Sequence, residues 1–351
     1  MRIHNLMFGA GRGGLEQAAF DYHRMLTQSG HSVTTLLHKN AATREAFQNH
    51  GFHTRRLSPI GEWDPLATQA LLRFHREDRP DLTLCHGNRA IGLALRASRT
   101  RFPVIGVAHN YKIKKRFPKC DAVFAVSRDL TEEMVHLNVP RERLATIPNM
   151  VDLPPLSDRA ANSPPVIGTL GRFVAKKGFD TYLHALKNLK DQGIAFRAKL
   201  GGSGEEEVAL RKLAAELELG DCLEFTGWVE DTSAFLNSLD LFILPSYHEP
   251  FGIVLLEAMA HRLPCISTES EGPCEIVRAG EDGLMVEIAK PHQLAAAMRE
   301  VLDNPALAYS LAERARHKIE AHYSPEVVGA LLDRTITRLL PLLEREQKLL
   351  Y

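Results

Sequence analysis

The feature that most constrains this chain is an alternation that runs through it twice. Short apolar runs at residues 2–8, 32–38, 81–85, 103–109, 122–126 and 144–148 read as strands, with helical periodicity between them, as at 14–28 and 65–77. Strands that are apolar at successive positions and alternate with helices predict a parallel sheet covered on both faces. The pattern breaks at residues 152–165, DLPPLSDRAANSPP, which has no periodicity and reads as a linker. It then restarts, with strands expected at 166–173, 196–202, 222–227, 241–246 and 264–269 and helices at 177–192, 205–219 and 253–262. From Pro291 onward the chain reads as helix, near 291–303, 305–321 and 325–349. The expected architecture is α/β, with two doubly wound, Rossmann-like domains at 1–152 and 153–324. Residues 325–351 form a C-terminal helix packing back on the first domain. A length of 351 residues is comfortable for two cores. Ligands of such sheets bind at the carboxyl ends of the strands, so a cleft between two of them is the expected site.

Composition narrows the function classes. No run approaches the ~20 apolar residues of a membrane-spanning helix. The start, MRIHNLMFGAGRGG, has glycines where a signal peptide needs an apolar region, so a cytoplasmic protein is expected. Five scattered cysteines with no CxxC spacing read as free thiols. Net charge is zero, yet residues 1–150 hold 22 Lys and Arg against 13 Asp and Glu, leaving 21 against 30 for the rest. The first half therefore suits an anionic partner.

Three motifs carry chemistry. Gly9, Gly11, Gly13 and Gly14 follow a strand and open a helix, where bare backbone lets phosphate or sugar reach amide groups. The end of the second strand holds His38, Lys39 and Asn40 instead of an acidic residue, which disfavours NAD and leaves NADP open. The second motif is Gly171-Arg172-Phe173 followed by Lys176-Lys177-Gly178, again between strand and helix. Arg172 offers a planar fork and Lys177 a point charge, both suited to a diphosphate. No Asp-x-Asp pair exists to hold a metal, so these cations are the candidates for neutralising a leaving diphosphate. The third motif is EPFGIVLLE, residues 249–257. Glu249 lies in a loop and Glu257 about one turn into a helix, and the amides of Phe251, Gly252 and Ile253 form an anion site at the helix N-terminus.

With these motifs in order, the chain resembles the retaining glycosyltransferases of family 4, which share the GT-B fold. The likeness runs nearly end to end through GGLE (13–16), AHN (108–110), AVFAVS (122–127), IPNMVD (147–152), GRFVAKKG (171–178), GGSG (201–204), FTGWVED (225–231), LPSYHEPFGIVLLEAMA (244–260), PCIST (264–268), GPCEIV (272–277) and DGLMV (282–286). One departure is Met150, where the family usually has glycine; a local change in the hinge is expected, with activity kept. The resemblance implies that Glu249 meets donor sugar hydroxyls and that Glu257 holds the ribose hydroxyls. It implies further that Arg172 and Lys177 bind the diphosphate, and that the amides of Phe251, Gly252 and Ile253 meet sugar and phosphates. Backbone at Trp228 and Val229 would meet the base. Gly13, Gly14 and Gly202 would line the donor site, and His109 would sit near the sugar. The co-substrate is expected to be a UDP-sugar ahead of a GDP-sugar, with no metal and no other cofactor.

The acceptor is expected on the first domain. YKIKKRFPK (111–119) interleaves Lys112, Lys114, Lys115, Arg116 and Lys119 with Tyr111, Ile113 and Phe117, a pattern suited to an anionic membrane surface or to acceptor phosphates. Proteins that resemble this one build lipopolysaccharide, exopolysaccharide or glycolipids, which implies a peripheral place on the inner face of the cytoplasmic membrane. Three rivals stand beside this reading. An NADP-dependent oxidoreductase would leave Arg172, Lys177, Glu249 and Glu257 without a use. A nucleotide-sugar epimerase of the same fold would turn over donor without an acceptor. A carbohydrate-binding scaffold would have no need of both glutamates and both cations. Nucleic acid is not an expected partner, since the basic run belongs to no recognised module.

Overall fold

The computed structural model divides into two compact units, Met1–Met150 with Pro325–Tyr351, and Val151–Ser324. The structure describes residues 1–11, 13–97, 102–111, 116–155 and 162–349, with side chains through residue 341. The first unit runs β1 (Arg2–Met7), α1 (Gly14–Gln28), β2 (Ser32–Leu37), α2 (Arg44–Asn49), β3 (Thr54–Arg56), α3 (Pro65–Asp78), β4 (Leu82–His86), α4 (Asn88–Ala97), β5 (Val104–Ala108), β6 (Ala122–Ala125), α5 (Arg128–His136) and β7 (Leu144–Thr146). The second runs β8 (Val166–Leu170), α6 (Phe179–Asp191), β9 (Arg197–Gly201), α7 (Glu207–Glu216), β10 (Leu223–Gly227), α8 (Thr232–Asn237), β11 (Leu241–Leu244), α9 (Ile253–Ala260), β12 (Cys265–Thr268), α10 (Glu271–Ile276), β13 (Leu284–Val286), α11 (Pro291–Asp303) and α12 (Pro305–His322). The last helix, α13 (Pro325–Leu349), belongs to the first unit.

Both sheets are parallel, in the orders β3-β2-β1-β4-β5-β6-β7 and β10-β9-β8-β11-β12-β13. Strand order therefore reverses between β1 and β4 and again between β8 and β11. A ligand crevice opens at the carboxyl end of such a reversal. The strands that flank the reversals are buried along nearly their whole length, which is why they read as continuous apolar runs.

The last helix shows how spacing becomes packing. Val328, Leu332, Ile336 and Leu339 recur at helical intervals and bury against Tyr22, Met25 and Leu26 of α1 in one cluster. Met150 is 4% exposed within that cluster, so the residue that departs from the family pattern adds a side chain to the core of the first unit. Each such apolar side chain contributes about 1.5–3 kcal/mol by leaving water.

Helix starts differ in how they are capped. Asp64, Ser127, Asp231 and Asn304 cap α3, α5, α8 and α12, each accepting a hydrogen bond from an amide in the first turn. By contrast, α1, α6 and α9 begin after Gly13, Gly178 and Gly252, which have no side chain to cap with. Those three helices follow β1, β8 and β11, strands at the reversals.

Several expected strands end early. The run 166–173 leaves the sheet after Leu170; the Gly171 amide bonds to the carbonyl of Gly201 at the end of β9, and the Phe173 amide to that of Ser203 in the loop beyond it. Two edge strands, β3 and β13, had no counterpart in the expectation; each has three residues. All five cysteines are free.

Candidate active site

In the second unit, four loops meet at the carboxyl edge beside the β8/β11 reversal. The loop after β8 carries Arg172, which is exposed and makes no ion pair among the described residues. Phe173 next to it is fully buried and anchors the loop. A short 3-10 turn, Ala175–Lys177, then leads into α6. The loop after β11 is tied to that turn: the amides of Tyr247 and His248 both donate to the Lys176 carbonyl, at 2.8 and 3.2 Å. The Tyr247 hydroxyl donates to Asp180 at 2.6 Å and lies 2.9 Å from the Thr181 hydroxyl. Burial, with the carboxylate of Asp180 beside it, pushes the Tyr247 phenol up to about 12.

This bracing brings Lys177 and Glu249 together, 72 positions apart in sequence. The Lys177 ammonium donates to Glu249 Oε2, and both side chains are largely buried, at 16% and 11% exposure. Ser246 donates to the same oxygen at 3.4 Å. The Glu249 backbone is held at both ends, its amide donating to Glu271 Oε2 at 3.1 Å and its carbonyl accepting from Gly272 at 2.8 Å. A carboxylate this enclosed needs its cation.

Gly252 follows with φ 105°, in the left-handed region that favours glycine. Leu255 and Leu256 both donate to its carbonyl. The amides of Phe251, Gly252 and Ile253 therefore lie ahead of the first intrahelical bond, at the positive end of α9. Glu257 is half-buried on that helix. Gly202 follows β9 with φ 127°, and a Cβ there would stand 1.9 Å from the Gly171 carbonyl oxygen, so only glycine lets these two loops touch. Trp228 follows β10, 51% exposed, and Val229 beside it packs near Gly201. Every residue of the second unit singled out in the sequence thus lies at this one edge, and Lys177 and Glu249 are in direct contact.

The first unit brings its own set to the β1/β4 reversal. Gly13 precedes α1, which starts at Gly14. The Glu16 carboxylate lies against the glycine loop, where a Cβ on Gly9 would stand 2.0 Å from its Oε1. His109 follows β5 and is half-buried. Burial lowers its imidazole to about 4. Its Nε2 lies 3.0 Å from Nδ1 of His86, the last residue of β4. His86 is not among the residues the sequence singles out; its strand-end place gains meaning only from the sheet pairing that sets His109 beside it.

The basic run differs from expectation. Lys112, Ile113, Lys114 and Lys115 lie outside the described residues. Arg116 pairs with Glu62 and Lys119 is exposed. Phe117, expected among the surface apolar residues, is fully buried, with its ring against Gly106. Tyr111 donates its hydroxyl to Asp129. Among the described residues no group of three or more His, Cys, Asp and Glu could hold a metal ion, and no helix is long and apolar enough to cross a membrane.

Residues 12–154 match the model of Glycosyltransferase Family 4, and residues 157–318 match that of Glycosyl transferases group 1. The chain is 30% identical over 340 residues to the lipopolysaccharide core biosynthesis glycosyltransferase LpsE of Rhizobium meliloti (strain 1021), covering 93% of this chain and 96% of that protein. The chain belongs to glycosyltransferase family 4. A putative colanic acid biosynthesis glycosyltransferase, WcaL of Escherichia coli (strain K12), is 30% identical over 226 residues, covering 61% of this glycosyltransferase and 55% of WcaL. Among solved structures, Anabaena Alr3699/HepE in complex with UDP and glucose superposes with a TM-score of 0.82 at 17% identity, covering 96% and 99% of the two chains. A glycosyltransferase from Rickettsia africae ESF-5 superposes with a TM-score of 0.83 at 18% identity, covering 97% and 98%. The fold of this glycosyltransferase is GT-B.

Proposed function

We propose that this glycosyltransferase moves a sugar from a nucleotide diphosphate sugar, UDP ahead of GDP, to a glycan or glycolipid acceptor of the cell envelope. Transfer keeps the anomeric configuration and needs no metal. The observation that carries the reading is the enclosed Lys177–Glu249 pair beside the open amides of α9. Arg172 and Lys177 take up the charge of the departing diphosphate, and the amides of Phe251, Gly252 and Ile253 add fixed dipoles. Glu249 orients the sugar hydroxyls and Glu257 the ribose hydroxyls, while backbone at Trp228 and Val229 meets the base. Gly13, Gly14 and Gly202 leave room for the phosphates, and His109 meets the sugar. With no carboxylate placed as a nucleophile, displacement proceeds on one face through an oxocarbenium-like state, and the leaving phosphate oxygen takes the acceptor's proton.

The names of the relatives support an envelope acceptor, and the UDP complex of HepE supports UDP. A membrane-facing acceptor draws support from the turn before α3 and the helix's first residues, where Ile60, Trp63 and Leu66 are 85%, 61% and 77% exposed. Asp64 pins that turn, accepting from the Ile60 and Ala67 amides. The Glu62–Arg116 pair ties it to the basic run. An apolar tip beside cations suits an anionic lipid surface on the inner face of the cytoplasmic membrane.

Incubating the protein with a panel of UDP- and GDP-sugars tests the reading without knowledge of the acceptor. Slow release of one sugar is expected, with its starting anomer kept. No release from any donor, together with thermal stabilisation by NADP, would overturn it.

A further inference from the structure

His86 and His109 lie at the carboxyl ends of neighbouring strands, since β4 pairs with β5 in a register that sets His86 opposite Val107. Their ring planes are 23° apart with centroids 5.2 Å apart and a nitrogen–nitrogen separation of 3.0 Å, so the rings meet edge to edge. A hydrogen bond between two imidazoles needs one N–H and one lone pair, so each ring fixes the other. Burial holds both rings neutral at pH 7, and for His86 the neighbouring His109 adds to it. Two tautomer arrangements then remain.

The surroundings of His86 select between them. Its Nε2 is buried and has no hydrogen-bond partner among the described residues. The ring of Tyr22 packs edge-on against it, centroids 5.1 Å apart, and the Tyr22 hydroxyl is itself buried with no partner among the described residues. A proton on His86 Nε2 would be a buried N–H with no acceptor among the described residues, and orphaned buried donors are rarer than orphaned acceptors. The His86 proton therefore sits on Nδ1 and is donated to Nε2 of His109. With Nε2 accepting, the His109 proton sits on Nδ1.

We infer that His86 is a positioning residue which fixes His109 in the Nδ1-protonated tautomer, so that His109 offers an N–H to a sugar or phosphate oxygen. The ligand-facing half of this inference rests on the proposed sugar-side role of His109.

Long-range 1H–15N NMR of the full chain at pH 7.5 tests the pairing without any ligand. In the wild type both His86 and His109 are expected to be protonated on Nδ1. His86→Asn, whose amide N–H replaces the imidazole donor, keeps the His109 tautomer. His86→Phe shifts it toward Nε2–H and lowers hydrolysis of the best UDP-sugar about fivefold, with KM little changed. A wild-type His109 protonated on Nε2 overturns the inference by itself, as does a tautomer that His86→Phe fails to move. If the tautomers are as stated but His109→Ala leaves hydrolysis unchanged, the pairing stands and the sugar-side role of His109 falls.

Discussion

The carboxyl edges of the two sheets are built on one plan and differ in charge. Each lies at a reversal of strand order, and each opens onto a helix that starts after glycine. The second edge carries formal charges: Arg172, Lys177, Glu249 and Glu257. At the first edge, apart from the Glu16 carboxylate against the glycine loop, the singled-out side chains are His86 and His109, held neutral by burial. The contrast fits a division of labour in which the second unit neutralises a diphosphate and the first positions neutral hydroxyls. In the proposed reaction, fixed charges at one edge would stabilise charge that develops on the leaving group, and neutral donors at the other would avoid competing for it.

The largest effect should come from breaking the charged edge. Glu249→Ala strands Lys177 in an enclosed site, so donor hydrolysis should fall by about 100-fold. Lys177→Ala and Arg172→Ala should each lower turnover by roughly tenfold or more while the fold survives. Because Arg172 is exposed and Lys177 enclosed, melting curves should separate them, with only Lys177→Ala less stable than wild type. Two variants with full turnover would erase the contrast between the edges.

The buried histidines of the first unit make a pH prediction of definite sign. His109 falls from the ordinary 6.5 to about 4 on folding, and the buried His23 also reaches about 4. Protons therefore bind the unfolded chain first, and stability is full above about pH 6.5 and declines as pH falls toward about 4. Urea unfolding at pH 7.5 and pH 5 would show it, and equal midpoints would contradict it.

A smaller effect sharpens the role of the glycine starts. Gly13 has an extended backbone, φ −162° and ψ −179°, the geometry of a serine cap. Gly13→Ser should stabilise the fold by about a few tenths of a kcal/mol and weaken UDP binding, because the hydroxyl takes amides meant for the ligand. Smallest on the chemistry, Ile60→Ser with Trp63→Ser should leave hydrolysis unchanged. It should reduce sedimentation with anionic vesicles severalfold; equal sedimentation would remove the apolar tip from the membrane reading.

What could be read in advance follows from how local each signal is. The helix pattern 14–28 and the tail patterns 291–303 and 325–349 coincide with α1, α11 and α13, because long periodic stretches carry their own evidence of a buried face. The strand Thr54–Arg56 is three residues with two arginines, and only pairing with β2 makes it a strand. At the site, residue types and loops were legible, since glycine, cation and carboxylate motifs follow strands. The Lys177–Glu249 contact was not, because it depends on Tyr247 and His248 docking on Lys176. His86 was hidden for a different reason: a histidine at a strand end says nothing until its neighbour in the sheet is known.

The central claim is that the Lys177–Glu249 edge is the diphosphate site of this glycosyltransferase. Calorimetric titration of UDP and GDP into the wild type and Lys177→Ala tests it directly. The tighter nucleotide should bind the wild type and lose at least about tenfold in affinity in the variant, as expected for removal of one charge-assisted contact. Equal affinity for the two proteins would place the diphosphate elsewhere.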